Sequence, residues 1–234
     1  MKKNIVVTGG TKGIGRAIIE KFASEGFNIA TCARNEQDLQ KLEDGISKQY
    51  SVRVITSVAD VSKKEDLSRF LTKVKENFTD IDILVNNAGF FIPGAINEEE
   101  DGVLESMIET NLYSAYRTTR AFINDMKMKR KGHIFNICST ASIIPYINGG
   151  SYCISKFAML GMSKVLREEM KAFDIRVTAI LPGATLTASW EEAELPEERF
   201  MKSEDVALAV WGAYTMSDRT VIEELVMRPQ LGDI

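Results

Sequence analysis

Three polar residues in the second half of the chain could carry proton-transfer chemistry. Tyr152 and Lys156 are four residues apart, so in a helix their side chains share one face. A phenol with its ordinary pKa of about 10 is a poor acid or base at neutral pH, but a nearby ammonium favours its ionised form. Ser139, which ends a predicted strand, could donate a hydrogen bond to a substrate carbonyl. Tyr152 and Lys156 could equally be a surface pair, and Ser139 an ordinary turn residue.

A glycine-rich segment near the amino terminus could bind phosphate. Thr8 is followed by Gly9-Gly10-Thr11-Lys12-Gly13-Ile14-Gly15, which leads directly into a predicted helix. Glycines permit a tight turn and close approach of the backbone, and the free N–H groups at a helix amino terminus attract a pyrophosphate. Such a segment could also be only a turn. The strand before it and the helix after it favour nucleotide binding.

Charges after the second and third predicted strands indicate which nucleotide would bind. Sites for the unphosphorylated nicotinamide cofactor usually hold a ribose hydroxyl with an acid after the second strand, whereas this chain has Arg34 there. Arg34 and Lys12 could flank a 2′-phosphate, which predicts NADP(H), or both could be solvated surface charges. Asp60, which is followed by Val61, could accept a hydrogen bond from an adenine amino group or could cap the next helix.

The elements that must position these residues alternate along the whole chain. Near-continuous apolar runs predict seven strands at residues 4–8, 27–33, 52–58, 81–86, 133–139, 175–181 and 221–227. Helical patterns lie between them at residues 14–25, 36–48, 63–77, 101–131, 152–173 and 204–216. This alternation predicts one α/β domain over residues 1–234, a Rossmann-type doubly wound parallel sheet with helices on both faces. Ligands of such sheets bind beyond the carboxyl ends of the strands.

Composition excludes several classes of function. The 234 residues are 44% hydrophobic and 26% charged, a globular balance, and 29 basic against 33 acidic residues give a net charge of −4. This mildly acidic surface argues against binding to nucleic acid or to an anionic membrane. One histidine and three cysteines without paired spacing exclude a multi-histidine metal site and a disulfide framework. No signal peptide or apolar run of about 20 residues is present, so we expect a metal-free cytoplasmic protein.

The motifs described above occur together in one known family. With Asn86-Asn87-Ala88-Gly89, Asn111 and Pro182-Gly183-x3-Thr187, they resemble the short-chain dehydrogenase/reductase family over essentially the whole chain. The resemblance implies hydride transfer between the nicotinamide C4 of NADP(H) and a carbonyl carbon, with Tyr152 supplying the proton. It also implies that Asn111 interrupts its helix and holds a water joining Lys156 to solvent. By itself, Asn111 could be a helix-surface amide.

The resemblance assigns roles to residues along the whole chain. The implied catalytic residues are Asn111, Ser139, Tyr152 and Lys156. Residues 87–89 would line the adenosine side, and the segment after Pro182 would line the nicotinamide carboxamide. The complete predicted cofactor set is Gly9, Thr11, Lys12, Gly13, Ile14, Gly15, Arg34, Asp60, Val61, Asn87, Ala88, Gly89, Tyr152, Lys156, Pro182, Gly183, Thr185 and Thr187.

Substrate choice in this family depends on the loop after Pro182-Gly183, here about residues 184–203. This loop contains Trp190 and several acids, so it could be a lid or a solvated surface loop. The predicted substrate-binding residues are Ser139, Ile144, Tyr146 and Trp190, and the apolar ones indicate a partly apolar pocket.

The carboxyl-terminal residues and the segment 182–190 look like bacterial sepiapterin-reductase-type members, which favours a sepiapterin-like pterin or another small ketone as substrate. Reduction of a 3-oxoacyl thioester and alcohol dehydrogenation in the reverse direction are alternatives. A regulatory module that binds NADP without chemistry is a further alternative, which the presence of all four catalytic residues disfavours.

Family members also pair the helices that carry Asn111 and Tyr152, which predicts a homodimer or homotetramer. The apolar residues on these helices are Leu112, Ala115, Phe122, Met159, Leu160 and Leu166. They could instead pack on the sheet of their own subunit.

Overall fold

A computed structural model of the chain describes residues 2–187 and 195–234, and its seven strands form one sheet. All neighbouring strands are parallel and lie in the order β3-β2-β1-β4-β5-β6-β7. The strands are β1 (Asn4–Thr8), β2 (Asn28–Ala33), β3 (Val54–Val58), β4 (Ile83–Asn86), β5 (Gly132–Ile137), β6 (Ile175–Pro182) and β7 (Glu224–Met227). The predicted doubly wound α/β sheet is confirmed. Its order reverses between β1 and β4, where sheets of this kind bind ligands.

The α-helices of the described residues connect these strands. They are α1 (Gly13–Ser24), α2 (Glu36–Gln49), α3 (Lys64–Asn77), α4 (Val103–Ile108), α5 (Ser114–Lys129), α6 (Gly150–Met170) and α7 (Ser203–Thr215). Short 3₁₀ turns occupy Thr140–Ser142, Lys171–Phe173 and Glu197–Arg199. None of the helices in the described part of the chain is long and apolar enough to cross a membrane.

The strands are buried on both faces because two groups of helices cover the sheet. Alternate residues of a strand point to opposite faces, so Ile5 of β1 packs with Phe22 of α1. Its neighbour Val6 packs with Phe70 of α3 and Phe122 of α5. The uninterrupted apolar runs in the sequence follow from this two-sided burial.

Two predicted elements differ from the structure near the site. The predicted helix over 101–131 is wrong as one element, because a π turn (Glu109–Tyr113) separates α4 from α5. The predicted strand over 133–139 ends earlier, at Ile137. Ser139 instead caps the 3₁₀ turn that follows, and its side chain accepts a hydrogen bond from Ala141 N. A side chain that bonds the local backbone in this way competes with strand pairing.

The apolar residues named for subunit pairing are mostly inside the chain itself. Ala115, Phe122, Met159 and Leu160 are 1–5% exposed and pack in the protein's own core. For these four residues the alternative interpretation is correct. The homodimer or homotetramer stays a prediction.

Candidate active site

The amino terminus of α6 brings Tyr152 and Lys156 together as predicted. Lys156 is only 6% exposed, and its Nζ donates a hydrogen bond to Ile137 O at 3.0 Å. The same ammonium lies 5.7 Å from the centroid of the Tyr152 ring. A buried ammonium needs such a hydrogen-bond acceptor to offset its lost hydration. The carbonyl at the end of β5 therefore helps to hold the charge of Lys156 beside Tyr152.

Tyr152 belongs to a small group of aromatic side chains. The Phe91 ring, from the segment after β4, meets the Tyr152 ring edge-on with centroids 4.9 Å apart. Tyr146 lies on the other side of Phe91, at 6.5 Å between centroids. Burial raises the pKa of Tyr146 well above its ordinary value, and neighbouring Tyr152 and Cys153 act in the same direction. Of these two phenols, Tyr152 is the one whose ring lies beside the Lys156 ammonium.

The π turn places Asn111 at the centre of the site. Asn111 is 1% exposed, and its Oδ1 accepts a hydrogen bond from Phe90 N at 2.9 Å. Its Nδ2 donates to Phe90 O and to Ser155 Oγ, both at 3.0 Å. A π turn widens the helix by one residue, and such turns are frequent at functional sites. The interruption at Asn111 is therefore present, whereas its role in holding a water stays a prediction.

Ser139 lies just beyond the carboxyl end of β5 and is 9% exposed. Its Oγ accepts from Ala141 N at 3.1 Å, and its backbone N–H donates to Ser142 Oγ at 3.2 Å. Within the described residues its own hydroxyl proton has no hydrogen-bond acceptor. The hydroxyl is therefore oriented by the turn and can still donate to a ligand.

The glycine-rich loop is shaped by close backbone packing. Gly9 has φ +70°, a conformation that favours glycine. A Cβ on Gly15 would lie 2.4 Å from both Gly9 O and Asn87 Nδ2, so no larger residue fits there. Helix α1 begins at Gly13, and across the described residues no side chain caps its first turn. The N–H groups of that turn are available to an anion.

Asn87 and Thr8 lock the glycine loop to the end of β4. Asn87 Nδ2 donates to Thr8 O at 2.9 Å and to Gly9 O at 3.0 Å. In return, Thr8 Oγ1 accepts from the backbone N–H groups of Asn87 and Ala88, each at 3.1 Å. Both protons of the Asn87 amide are used in this lock. Asn87 thus shapes the loop, and its predicted place on the adenosine side stays a prediction.

Two cations border the loop as the sequence predicts. Lys12 is the residue before α1, and its Nζ lies 3.7 Å from Asp38 Oδ2 in the first turn of α2. Arg34 follows β2 and is exposed, and in the described residues it has no ion-pair partner. The loop and the end of β2 are adjacent, since Gly9 N donates to Cys32 O at 3.0 Å. Arg34 is thus free to meet a further anionic group at this edge, whereas Lys12 would share its charge between Asp38 and such a group.

Asp60 and Val61 follow β3, and their predicted contacts with the cofactor stay predictions. Asp60 Oδ1 accepts from Ser62 N at 3.0 Å and from Ser62 Oγ at 2.7 Å, which closes a turn. Because α3 starts at Lys64 with Lys63 as its cap, the expectation that Asp60 caps the helix is wrong. Val61 is 8% exposed, and its side chain packs in the core.

The segment after β6 lies against the glycine loop. A Cβ on Gly13 would be 2.9 Å from the methyl group of Thr187, so the two predicted cofactor motifs meet in space. Thr185 is 4% exposed, and its hydroxyl donates to Gly183 O at 3.0 Å. Among the remaining predicted cofactor residues, Ile14 packs partly against the core, and Gly89 lies beside Asn111 and Lys156.

The two ends of the loop predicted to select the substrate are hydrogen-bonded to each other. Leu186 N donates to Met201 O at 2.9 Å, and Met201 N donates to Ala184 O at 3.0 Å. Trp190 and the acids Glu191, Glu192 and Glu194 lie outside the described residues. Ile144 is 52% exposed.

An apolar groove of about 560 Å³ runs beside α6. Its helical residues recur at a spacing of three or four, which places them on one face of the helix. Tyr152 and Lys156 lie on a different face, so the groove is separate from the catalytic side chains. Lining residues include Ile96, Tyr146, Ile147, Cys153, Ile154 and Phe157.

Sequence reasoning missed Phe91 and Ser155. Ser155 lies beside Lys156, and its position one turn after Tyr152 is the only local signal that it could share their surroundings. Phe91 contacts a ring 61 residues further along the chain. No local pattern predicts such a contact.

Comparisons with known proteins agree with this geometry. The family model of the short chain dehydrogenases matches residues 3–198. The sepiapterin reductase of Chlorobaculum tepidum is 33% identical over 100% of this chain and 99% of that protein. The 3-oxoacyl-[acyl-carrier-protein] reductase of Haemophilus influenzae is 33% identical over 92% of this chain and 91% of its own length. A solved alcohol dehydrogenase from the archaeon Thermococcus sibiricus, complexed with 5-hydroxy-NADP, has a TM-score of 0.92 and 30% identity, with 98% of this chain and 97% of that one covered.

Proposed function

The chain belongs to the short-chain dehydrogenase/reductase family of oxidoreductases, and from that premise we propose that it is an NADPH-dependent carbonyl reductase. The observation that carries the proposal is the buried Lys156 ammonium, held by Ile137 O beside the Tyr152 ring. This pair gives the phenol the neighbouring ammonium that proton transfer at neutral pH needs.

The nucleotide end fits a phosphorylated nicotinamide dinucleotide. The uncapped first turn of α1 suits a pyrophosphate, and the backbone at Gly15 leaves no room for a side chain. Lys12 and Arg34 would pair with a 2′-phosphate, and Thr187 lies where the two cofactor motifs meet. The relative from Thermococcus sibiricus is complexed with 5-hydroxy-NADP. Bound here, the nicotinamide supplies hydride to a carbonyl carbon.

The chain's own residues manage the proton. Ser139 Oγ donates a hydrogen bond to the carbonyl oxygen, and the Tyr152 hydroxyl gives its proton to that oxygen as negative charge develops. Tyr152 is left as a phenolate, which the Lys156 ammonium stabilises until solvent returns a proton. In the reverse direction the same phenolate is the base for an alcohol. Asn111 is a positioning residue, because its side chain bonds both Phe90, in the segment after β4, and Ser155, in α6.

We propose a sepiapterin-like pterin or another small ketone as the substrate. The sepiapterin reductase relative, which matches the chain over its full length, supports this choice. Reduction of a 3-oxoacyl thioester is the second candidate, supported by the relative from Haemophilus influenzae.

The test is NADPH oxidation with a panel of pterins, diketones, quinones and acyl thioesters. We expect turnover with at least one class, and we expect Tyr152→Phe to lower kcat by about 10²- to 10⁴-fold, the usual contribution of general acid–base catalysis. NADPH affinity, followed by fluorescence titration, should not change. The matched control is Tyr116→Phe, which removes an exposed hydroxyl on α5. Full turnover by Tyr152→Phe would remove Tyr152 from the mechanism, and no turnover by the native chain would favour a regulatory module.

A further inference from the structure

Glu99 binds the amino terminus of the catalytic helix with both oxygens of its carboxylate. Oε1 accepts a hydrogen bond from Ser151 N at 2.8 Å, and Oε2 accepts one from Ser151 Oγ. Ser151 is 1% exposed and immediately precedes Tyr152. A carboxylate in the first turn of a helix is also favoured by the helix dipole. The two contacts join residues that are 52 positions apart in the chain.

Two glycines form the space that holds this carboxylate. A Cβ on Gly94 would lie 2.6 Å from Glu99 Cγ, and a Cβ on Gly150 would lie 2.5 Å from Glu99 Oε1. Their backbones are themselves paired, since Gly150 N donates to Gly94 O at 3.1 Å and Gly94 N donates to Asn148 O at 2.9 Å. The contact therefore lies in a closely packed junction between two segments, where the carboxylate has little freedom to move.

The segment that carries Glu99 also contacts the catalytic residues at its other end. Residues 90–99, here named the β4 strap, begin at Phe90, whose backbone N–H and C=O are both bonded to Asn111. The next residue, Phe91, packs edge-on against the Tyr152 ring. The strap thus acts on Tyr152 at two points. Phe91 packs against the Tyr152 ring, and Glu99 bonds Ser151, the residue before Tyr152 in α6.

We infer that Glu99 is a positioning residue for proton transfer by Tyr152, an inference that rests on the proposed function. Glu99 acts through Ser151 and the strap, and it touches neither substrate nor the reacting atoms. Without it, the first turn of α6 and the Phe91 ring lose a common anchor. Tyr152 then spends less time in line with Lys156 and the carbonyl oxygen. A misplacement of about 1 Å can cost up to about 10²-fold in rate.

The residues on either side of Glu99 provide matched controls. Glu98 and Glu100 flank Glu99 in the sequence, and both are exposed. In the described residues their carboxylates make no hydrogen bond or ion pair. Glu98→Gln and Glu100→Gln therefore remove the same charge from the same segment without breaking the junction, and we expect native kcat from both.

The test compares Glu99→Ala and Glu99→Gln with these controls on a substrate from the panel. We expect Glu99→Ala to lower kcat about tenfold with unchanged NADPH affinity, because the glycine loop lies on other elements. Glu99→Gln keeps the shape and one oxygen acceptor for Ser151 N, so it should recover most of kcat. Hydrogen exchange of residues 150–156 should be faster in Glu99→Ala than in the controls, which reports on the helix without any turnover.

Several results would overturn the inference. Native kcat in Glu99→Ala with only a lower melting temperature would make the contact structural. Should Glu99→Ala fail to fold, Ser151→Ala, which removes only the Oε2 contact, decides the question. Native kcat in Ser151→Ala, with unchanged hydrogen exchange over residues 150–156, would then reject the role. If the native chain oxidises no NADPH, the proposed function fails by itself. Unchanged hydrogen exchange over 150–156 would still reject the anchoring by Glu99.

Discussion

The nucleotide end and the catalytic end lie at the same edge of the sheet, but they are held in different ways. At the nucleotide end the main chain sets most of the shape, with Gly9 at φ +70°, and the space beside Gly15 is filled by Gly9 O and by the Asn87 amide that locks the loop. At the catalytic end, side chains from distant segments bond main-chain groups. Asn111 holds Phe90, Lys156 holds Ile137 and Glu99 holds Ser151.

This difference indicates how each end should respond to change. In the glycine loop an added methyl group would meet the main chain and a hydrogen-bonded amide, so it distorts the loop and the loss falls on cofactor affinity. A set of side-chain contacts can lose one member and keep its fold, so the loss falls on the position of Tyr152 and thus on kcat. Variants that separate affinity from kcat are therefore the direct test of the comparison.

The largest expected effect on the nucleotide end is from Gly15→Ala. The new Cβ would lie 2.4 Å from Gly9 O, and such overpacking costs about 1–3 kcal/mol. The loop must shift to relieve this strain, and the same free energy lost from binding would lower NADPH affinity by about 5- to 150-fold. Fluorescence titration with NADPH measures this change. Gly45→Ala is the matched control, because a Cβ there, on the exposed side of α2, would have its nearest neighbour 4.0 Å away. Native affinity in Gly15→Ala would show that the glycine loop is not rigid.

Asn111→Ala should produce a smaller loss at the catalytic end. It removes the bonds to Phe90 N, Phe90 O and Ser155 Oγ, so the β4 strap and α6 lose a shared partner. We expect kcat to fall about tenfold, with NADPH affinity unchanged. Steady-state kinetics measures kcat and fluorescence titration measures NADPH affinity. The control is Asn97→Ala, at an exposed position. An equal loss of affinity and kcat would mean that the two ends are not independent.

The last expected effect, similar in size to that of Asn111→Ala, is a change of cofactor preference in Arg34→Asp. The substitution replaces an exposed cation by an acid that can bind a ribose hydroxyl, so the ratio of kcat/KM with NADPH to that with NADH should fall about tenfold. Arg219→Asp makes the same charge change at an exposed site that precedes β7, at the opposite edge of the sheet. An unchanged ratio would refute the role of Arg34 in binding a 2′-phosphate.

The same contrast explains what could be predicted from the sequence. The glycine spacing and the Tyr152–Lys156 pair are local patterns, and the apolar strands follow directly from burial on both faces. No local sequence pattern predicts the π turn, because the hydrogen-bond partner of Asn111 is Phe90, which lies 21 residues earlier in the chain. The helical pattern continues through residues 101–131 and predicts one helix, and it is the family resemblance that implies an interruption at Asn111. The contact of Glu99 with Ser151 depends on tertiary packing for the same reason.

The π turn has a consequence for insertions and deletions in this chain. Residues 109–113 hold one residue more than an α-helix would use for the same turn. Deleting one of them would let α4 and α5 join as a continuous helix, but successive residues of an α-helix differ by about 100° in direction. Either Asn111 would turn away from Phe90, or Phe122 would leave the core. A chimaera that loses one residue within 109–113 therefore has a changed catalytic geometry, even where every named residue is kept. Sequence alignments used to design such chimaeras should place no gap there.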